Sequence, residues 1–315
     1  MGIILWKMQR HNEAKDCYNS ALILCEDRFP EERILLLNNL GNVNICAGHL
    51  DEALTCYTQA LASVSSTLTD DEANSKSSQS LLNMGMTYFK QSVYQKSFEA
   101  FKSFLSVRVS FLVSTDSNSM DSNIATVLNY LGVLLLNQCR YQECVEWFQQ
   151  SINLLESLPK QNSNNDVHQF SGILSNLGFA HYYLHHYNTA LSFLDKAIQL
   201  LNEHQTRSSS SKDINIVDKK FLATLMGKSA SISFKMKDYE SAMEGYQLSL
   251  NLKREIGVKK SEELITMHNI ALIHCKRRRF NEALAQLDVI RSEKILLNGE
   301  RHPEIAKILI DIGEM

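Results

Sequence analysis

The sequence predicts an all-α fold, a right-handed solenoid of stacked antiparallel helical hairpins, on three observations. Turn formers are scarce, a small-then-large residue spacing recurs, and apolar content suffices to bury one face of every hairpin. Only 3 Pro and 12 Gly occur in 315 residues, whereas a sandwich or barrel needs turn chemistry at every strand end. Strands are therefore not expected. With 44% hydrophobic residues the chain is not disordered as a whole. Its 32 Lys plus Arg against 35 Asp plus Glu leave a formal charge of −3, which points to neither a basic nucleic-acid surface nor an acidic tail.

The recurrence is visible when residues 36 to 61, 127 to 152 and 173 to 198 are aligned. A small residue follows an apolar one, a second small residue comes twelve later, and an aromatic residue or Leu comes four after that. In chain order the first small residues are Gly2, Gly41, Gly85, Gly132, Gly178, Ala230 and Ala271. Their partners are Ala14, Ala53, Ser97, Cys144, Ala190, Ala242 and Ala283, and the large residues are Tyr18, Tyr57, Phe101, Phe148, Leu194, Tyr246 and Leu287. This spacing describes two helices that touch most closely where each offers a small side chain, with a ring filling the gap beside the contact. Short polar turns join them, read at Gly48-His49, Tyr94-Gln95 and Lys237-Asp238. One solenoid over 1–315 results, with repeats at 1–28, 33–64, 77–113, 121–157, 168–204, 213–256, 261–297 and 302–315, the first and last partial.

These residues resemble the tetratricopeptide repeat family, whose L-G, Ala, aromatic pattern is matched in seven registers over nearly the whole chain. The family's leading Trp and closing Pro are mostly missing, and Ser97 and Cys144 replace its second-helix Ala. Successive second-helix small residues lie 39, 44, 47, 46, 52 and 41 apart, more than the ~34 of the minimal repeat. The excess falls in polar stretches at 63 to 79, 114 to 123, 159 to 169 and 204 to 213, expected as extended helix ends or mobile loops on one edge. This longer repeat, with residues 299 to 313 leading into a first helix, looks like the variant of kinesin light chains. Gly2 and Gly313 both sit inside the pattern, so a longer array, or self-association through uncapped ends, is expected.

The resemblance implies that first helices line a concave groove. The stripe is read at three positions with i, i+3, i+7 spacing. The row just before the L-G pair carries Asn39, Asn83, Asn176 and Asn269, with Tyr130 and Lys228 completing it. The next row holds Asn42, Met86, Val133, Phe179, Ser231 and Leu272; the last holds Cys46, Lys90, Asn137, Tyr183, Lys235 and Lys276. An amide both donates and accepts, so the Asn row suits the backbone of an extended peptide. The groove residues named are accordingly Asn39, Asn42, Asn83, Lys90, Asn137, Asn176, Tyr183, Lys235, Asn269 and Lys276, with pairing of the Asn row to neighbouring helices as the alternative. The carboxylate clamp of the family's chaperone adaptors is disfavoured, because Asn38, Thr126 and Tyr130 stand in its three cationic places beside Asn42 and Asn83.

Catalytic, metal and cofactor chemistry finds no support in the sequence. Gly227-Lys228-Ser229 resembles the end of a phosphate loop, but Leu222 replaces its first Gly. His181 and His185 share a helical spacing without the Glu of a zinc-protease motif, and Lys276 to Arg279 reads as a solvated helix end. The apolar start Ile3 to Trp6 is too short for a signal peptide, no run approaches the ~18 residues of a membrane span, and Trp6 replaces the Ser or Thr of a myristoylation signal. Seven cysteines without a CxxC pair, read as lying in helices, suit a reducing compartment, cytoplasmic or nuclear. The function expected is a non-catalytic scaffold or adaptor that binds extended peptides or helices of other proteins, with no membrane or nucleic-acid partner. The alternatives are a regulatory or cargo-binding segment of a larger kinesin-light-chain-like protein and a helical-repeat RNA binder. The RNA reading would need regular spacing and a basic groove, both missing.

Overall fold

The computed structural model describes every residue except 26–28, 65–69, 116–121, 159–163, 208–211, 314 and 315. The described residues form fifteen α-helices and no strand: α1 (Gly2–Lys7), α2 (His11–Cys25), α3 (Pro30–Cys46), α4 (Leu50–Val64), α5 (Asp70–Lys90), α6 (Tyr94–Thr115), α7 (Ser122–Asn137) and α8 (Tyr141–Ser157), followed by α9 (Asn164–Tyr183), α10 (Tyr187–Arg207), α11 (Lys212–Lys235), α12 (Tyr239–Glu255), α13 (Lys260–Lys276), α14 (Phe280–Asn298) and α15 (Pro303–Gly313). Two of the three prolines open helices, Pro30 in α3 and Pro303 in α15, where the missing N–H costs no hydrogen bond. Glu31 and Glu32 then complement the dipole of α3.

The residues divide into two compact units. The first comprises Met1–Arg140 with Asn153–Leu158, and the second Tyr141–Ile152 with Pro159–Met315. Within the first, the hairpins α1/α2, α3/α4 and α5/α6 pack in sequence, and α7 follows α6. In the second, α9/α10, α11/α12 and α13/α14 do the same, ending on α15. Apolar burial is accordingly distributed in small clusters. Ala14, Tyr18, Leu40, Val43 and Cys56 join α2, α3 and α4; Ala230, Tyr246, Leu250 and Ile273 join α11, α12 and α13; Leu264, Ala271, Leu287 and Ile308 join α13, α14 and α15. None of these clusters spans a unit, as expected when each repeat buries its face only on its neighbours.

The small-residue register holds at atomic level. All seven second-helix small residues are fully buried, and the seven large ones are at most 6% exposed. A Cβ on Gly2, Gly41 or Gly85 would lie 2.7, 2.4 or 2.5 Å from the ring of Tyr18, Tyr57 or Phe101, so the ring occupies the space that glycine vacates. Ser97 fits the same register by donating its hydroxyl to the Gly85 carbonyl at 2.8 Å across the hairpin.

Every hairpin turn is built alike. Gln9, Gly48, Ser92, Cys139, His185, Lys237 and Arg278 each have φ between 59 and 84°, and each lies seven residues after the first small residue. Their N–H groups reach back three residues, and the next N–H reaches back five, as Arg10 does to Leu5 and Asp238 to Ser233, the Schellman closure of a helix end. That same next residue accepts, through its carbonyl, the N–H of the second-helix small residue, as His49 does from Ala53 and Asp238 from Ala242. Two expectations are corrected here. The third turn is Gln91 to Val93, because Tyr94 and Gln95 already belong to α6, and Cys139 sits in a turn rather than inside a helix.

The polar inserts extend helices. Residues 70 to 79 belong to α5, 164 to 169 to α9, and 204 to 207 to α10, while part of each insert lies outside the described residues. No described helix is long and apolar enough to cross a membrane.

Candidate functional site

The three rows of first-helix positions differ in accessibility. In the row before the L-G pair, Asn39, Asn176 and Asn269 are half-buried and Asn83 is only 8% exposed. Asn83 accepts from Gln79 Nε2 at 3.1 Å, whereas its own buried Nδ2 has no acceptor among the described residues. The non-Asn members of the row pack backwards. Tyr130 stacks on Phe101 with ring centres 5.2 Å apart and meets Phe89 edge-on. Lys228 donates to Ser175 Oγ at 2.9 Å and places its ammonium 4.6 Å above the centre of the Phe179 ring. Burial lowers the Lys228 pKa, since the charged form loses hydration.

The middle row is half-buried throughout. Asn42 accepts from the Tyr57 hydroxyl at 2.7 Å, and the equivalent Ser231 pairs with the Tyr246 hydroxyl, also at 2.7 Å. The large residue of the repeat therefore fixes the orientation of a stripe side chain. In the last row Cys46, Lys90, Asn137, Tyr183, Lys235 and Lys276 are all exposed. Tyr183 stacks on Tyr141 at 4.9 Å with planes 7° apart, and Phe179, Tyr182 and Tyr183 form a contiguous ring cluster beside it.

A charge pattern emerges once helices are assigned. Although 35 acids are spread over the chain, residues 33 to 46, 73 to 90, 122 to 137, 167 to 183, 219 to 235 and 264 to 276 contain none. These are the first helices beyond their opening turns, except in α11, where Asp218 still lies at the seventh residue. Most second helices carry an acid beyond the first turn, such as Glu99, Glu146, Asp195 and Glu244, although α4 has only Asp51 and Glu52 in its first turn. Whole-chain charge conceals this pattern because acids elsewhere in the chain, those of the opening turns included, offset the cations of these stretches. Lys228, Lys235 and Lys276 make no ion pair among the described residues, while Lys219 pairs with Glu255 at 2.5 Å and Arg277 with Glu240 at 2.8 Å.

Sites set aside in the sequence acquire structural partners. Gly227-Lys228-Ser229 lies inside α11, so no loop is present to cradle a phosphate. His181 stacks on Phe193 with ring centres 5.5 Å apart, and burial, with a smaller contribution from His186, lowers its pKa. His185 is the turn residue, its Nδ1 2.9 Å from the Tyr187 hydroxyl. At the clamp positions, Asn38 accepts from Ser80 at 3.0 Å and Thr126 donates to the Ser122 carbonyl. A further cluster was not foreseen: Asp218, 1% exposed, lies 2.6 Å from His168 and 3.2 Å from His204 and ties α9, α10 and α11 together. Its members are too far apart in sequence to signal it. Among the described residues no group of three or more His, Cys, Asp or Glu is placed to hold a metal.

Two sequence models of the tetratricopeptide repeat match this chain, one over residues 1–66 and one over 264–304. No curated protein matches it in sequence. Among solved structures it is similar to the APC/C hetero-tetramer Cut9–Hcn1 (TM-score 0.58, 17% identity, 86% of this chain and 41% of that one). It is also similar to BtubC (BKLC) from P. vanneervenii (TM-score 0.60, 12% identity, 81% and 94%). A third similar structure holds the nearly identical TPR-like repeats of the Podosopora anserina protein described as a kinesin light chain (TM-score 0.52, 11% identity, 74% and 99%). At these identities the likeness is one of fold. The chain spans less than half the length of the first of these structures.

Proposed function

We propose that this chain, a tetratricopeptide-repeat protein, is a non-catalytic scaffold whose first-helix stripes hold extended segments or helices of partner proteins. The observation that carries the reading is the last row, exposed in all six repeats from α3 to α13, on helix stretches free of acids. Within each unit, an exposed stripe repeated from hairpin to hairpin suits a ligand that crosses neighbouring repeats. Asn39, Asn42, Asn83, Lys90 and Asn137 form the stripe in the first unit, and Asn176, Tyr183, Lys235, Asn269 and Lys276 in the second. All seven cysteines are thiols, which suits a reducing compartment such as the cytoplasm.

A photo-crosslinking residue placed at Lys90 or Lys235 is expected to form covalent adducts with partner proteins in an extract of cells that make the protein. The same residue at Glu99 or Glu244, exposed on second helices, is expected to form none. Adducts arising equally from both helix types, or from second helices alone, would overturn the reading.

A further inference from the structure

We infer that the turns joining α11 to α12 and α13 to α14 form an edge that docks on an anionic membrane surface, with Lys237, Arg278 and Arg279 meeting lipid headgroups and Met236 and Phe280 entering between them. This contact uses the ends of two hairpins and leaves the first-helix stripe to a protein partner, so it goes beyond the scaffold reading and does not depend on it. The two turns lie side by side, since Arg277 at one donates to Glu240, at the start of α12, at 2.8 Å.

Cationic charge is concentrated there. Over the same seven positions around each left-handed turn residue, 276 to 282 holds four Lys or Arg and 235 to 241 two, whereas each of the five other turns holds at most two. Lys235, Lys237, Lys276, Arg278 and Arg279 are exposed and make no ion pair among the described residues. The acids in these two windows are Asp238, Glu240 and Glu282. Asp238 accepts the Ser241 N–H at 3.2 Å as the cap of α12, and Glu240 accepts from Arg277, so two of the three already have partners. Helix capping does not account for the cations. The last carbonyls of α13 are taken by backbone N–H groups, Arg277 on Ile273, Arg278 on Cys275 and Arg279 on His274, and the helix dipole, about half an elementary charge, is met by Lys276 in the last turn.

Apolar side chains are exposed at the same tips: Met236 is 39% and Phe280 45% exposed, with Leu284 at 41% one turn further along α14. A bilayer interface takes both kinds of group, phosphates for the cations and the acyl-chain boundary for the apolar side chains. Single-stranded nucleic acid would need ring faces to stack on, and of the two aromatic residues that open these second helices Tyr239 already meets Phe234 edge-on. Each cation near an anionic surface raises partitioning about fivefold, so a few unpaired ones beside two apolar tips suffice for reversible binding. The contact is peripheral, as no described helix is long and apolar enough to span a bilayer.

The test is flotation of the full chain with vesicles of phosphatidylcholine, alone or with about one-third phosphatidylserine. Binding to the anionic vesicles is expected to exceed that to the neutral ones at least about tenfold and to fall as salt rises. Arg278→Gln combined with Arg279→Gln is expected to weaken it at least about tenfold. Phe280→Ser should weaken it about threefold with the salt dependence kept, and Lys90→Gln combined with Lys96→Gln, in a turn of the first unit, should change nothing measurable. Comparing the two vesicle types needs no variant, so the test decides even where a substitution unfolds the chain. Equal binding to both vesicles, binding to neither, or binding unaffected by Arg278→Gln with Arg279→Gln would overturn the inference. So would single-stranded RNA that binds through Arg278 and Arg279 while vesicles do not, which would assign the edge to nucleic acid.

Discussion

The two units place different chemistry on the same helix positions. In the first, the stripe is nearly neutral and amide-rich, with Asn39, Asn42, Asn83 and Asn137 and one lysine, Lys90. In the second it is cationic and aromatic, with Phe179, Tyr183, Lys228, Lys235 and Lys276. Beneath this difference the hairpins are the same: Tyr57 bonds Asn42 as Tyr246 bonds Ser231, and left-handed turn residues occupy one register in both units. Packing therefore constrains the buried face of each first helix and leaves the stripe free to vary, so ligand chemistry can differ along one scaffold.

If the scaffold is common to both units, its glycines should matter in proportion to what a methyl group would meet. Gly41→Ala is expected to cost the most, about 2–3 kcal/mol, because its Cβ lands 2.4 Å from the Tyr57 ring and the ring has nowhere to go. Gly178→Ala in the second unit should cost about 1 kcal/mol, its nearest neighbours being the Ala190 carbonyl at 3.0 Å and Leu194 at 3.3 Å. Gly172→Ala, with nothing within 4 Å inside α9, should stabilise by about 0.5–1 kcal/mol. Urea unfolding combined with hydrogen exchange in each hairpin reads these locally; equal effects for the three would break the shared register.

The turns sharpen the comparison at a smaller scale. Ser92→Gly in the first unit and Lys237→Gly in the second should each stabilise by about 1 kcal/mol, since both residues have φ above 60°. Gly48→Ala should lose a similar amount. Opposite signs in the two units would show that the turns are not equivalent after all.

The thiols give the smallest and most local effect. Burial pushes the Cys144 thiol up to about 11. Because the folded value lies above the unfolded one, this thiol contributes stability that is fully present below its ordinary value near 9 and is lost as pH rises toward 11. Wild type should therefore lose more stability than Cys144→Ala between pH 8 and 10.5. In the native protein a thiol reagent should label exposed Cys46 and Cys139 at least about tenfold faster than buried Cys144. Equal labelling rates would remove Cys144 from its packing position.

Much of the fold was legible because close packing leaves a one-dimensional trace. The pairs Gly41 and Ala53, or Gly85 and Ser97, recur at a fixed interval since helix rise and turn length are fixed. The left-handed residue seven after each first small residue was not legible, because six of the seven are not glycine and carry no common side chain. The charge segregation was present in the letters yet invisible until helices could be sorted into first and second. The Asp218 cluster gave no signal, as its histidines arrive from α9 and α10, 50 and 14 residues away.

By itself, then, the sequence determined which helices pair and where they touch, since contact between neighbours in a repeat is local and is written in residue size. Tertiary structure decided which side chains of the stripe remain available. Tyr130 and Lys228 turn back onto the preceding hairpin, Asn42 is taken by Tyr57, and the last row stays in solvent. Those outcomes depend on directions and distances between hairpins, which spacing along a chain does not encode.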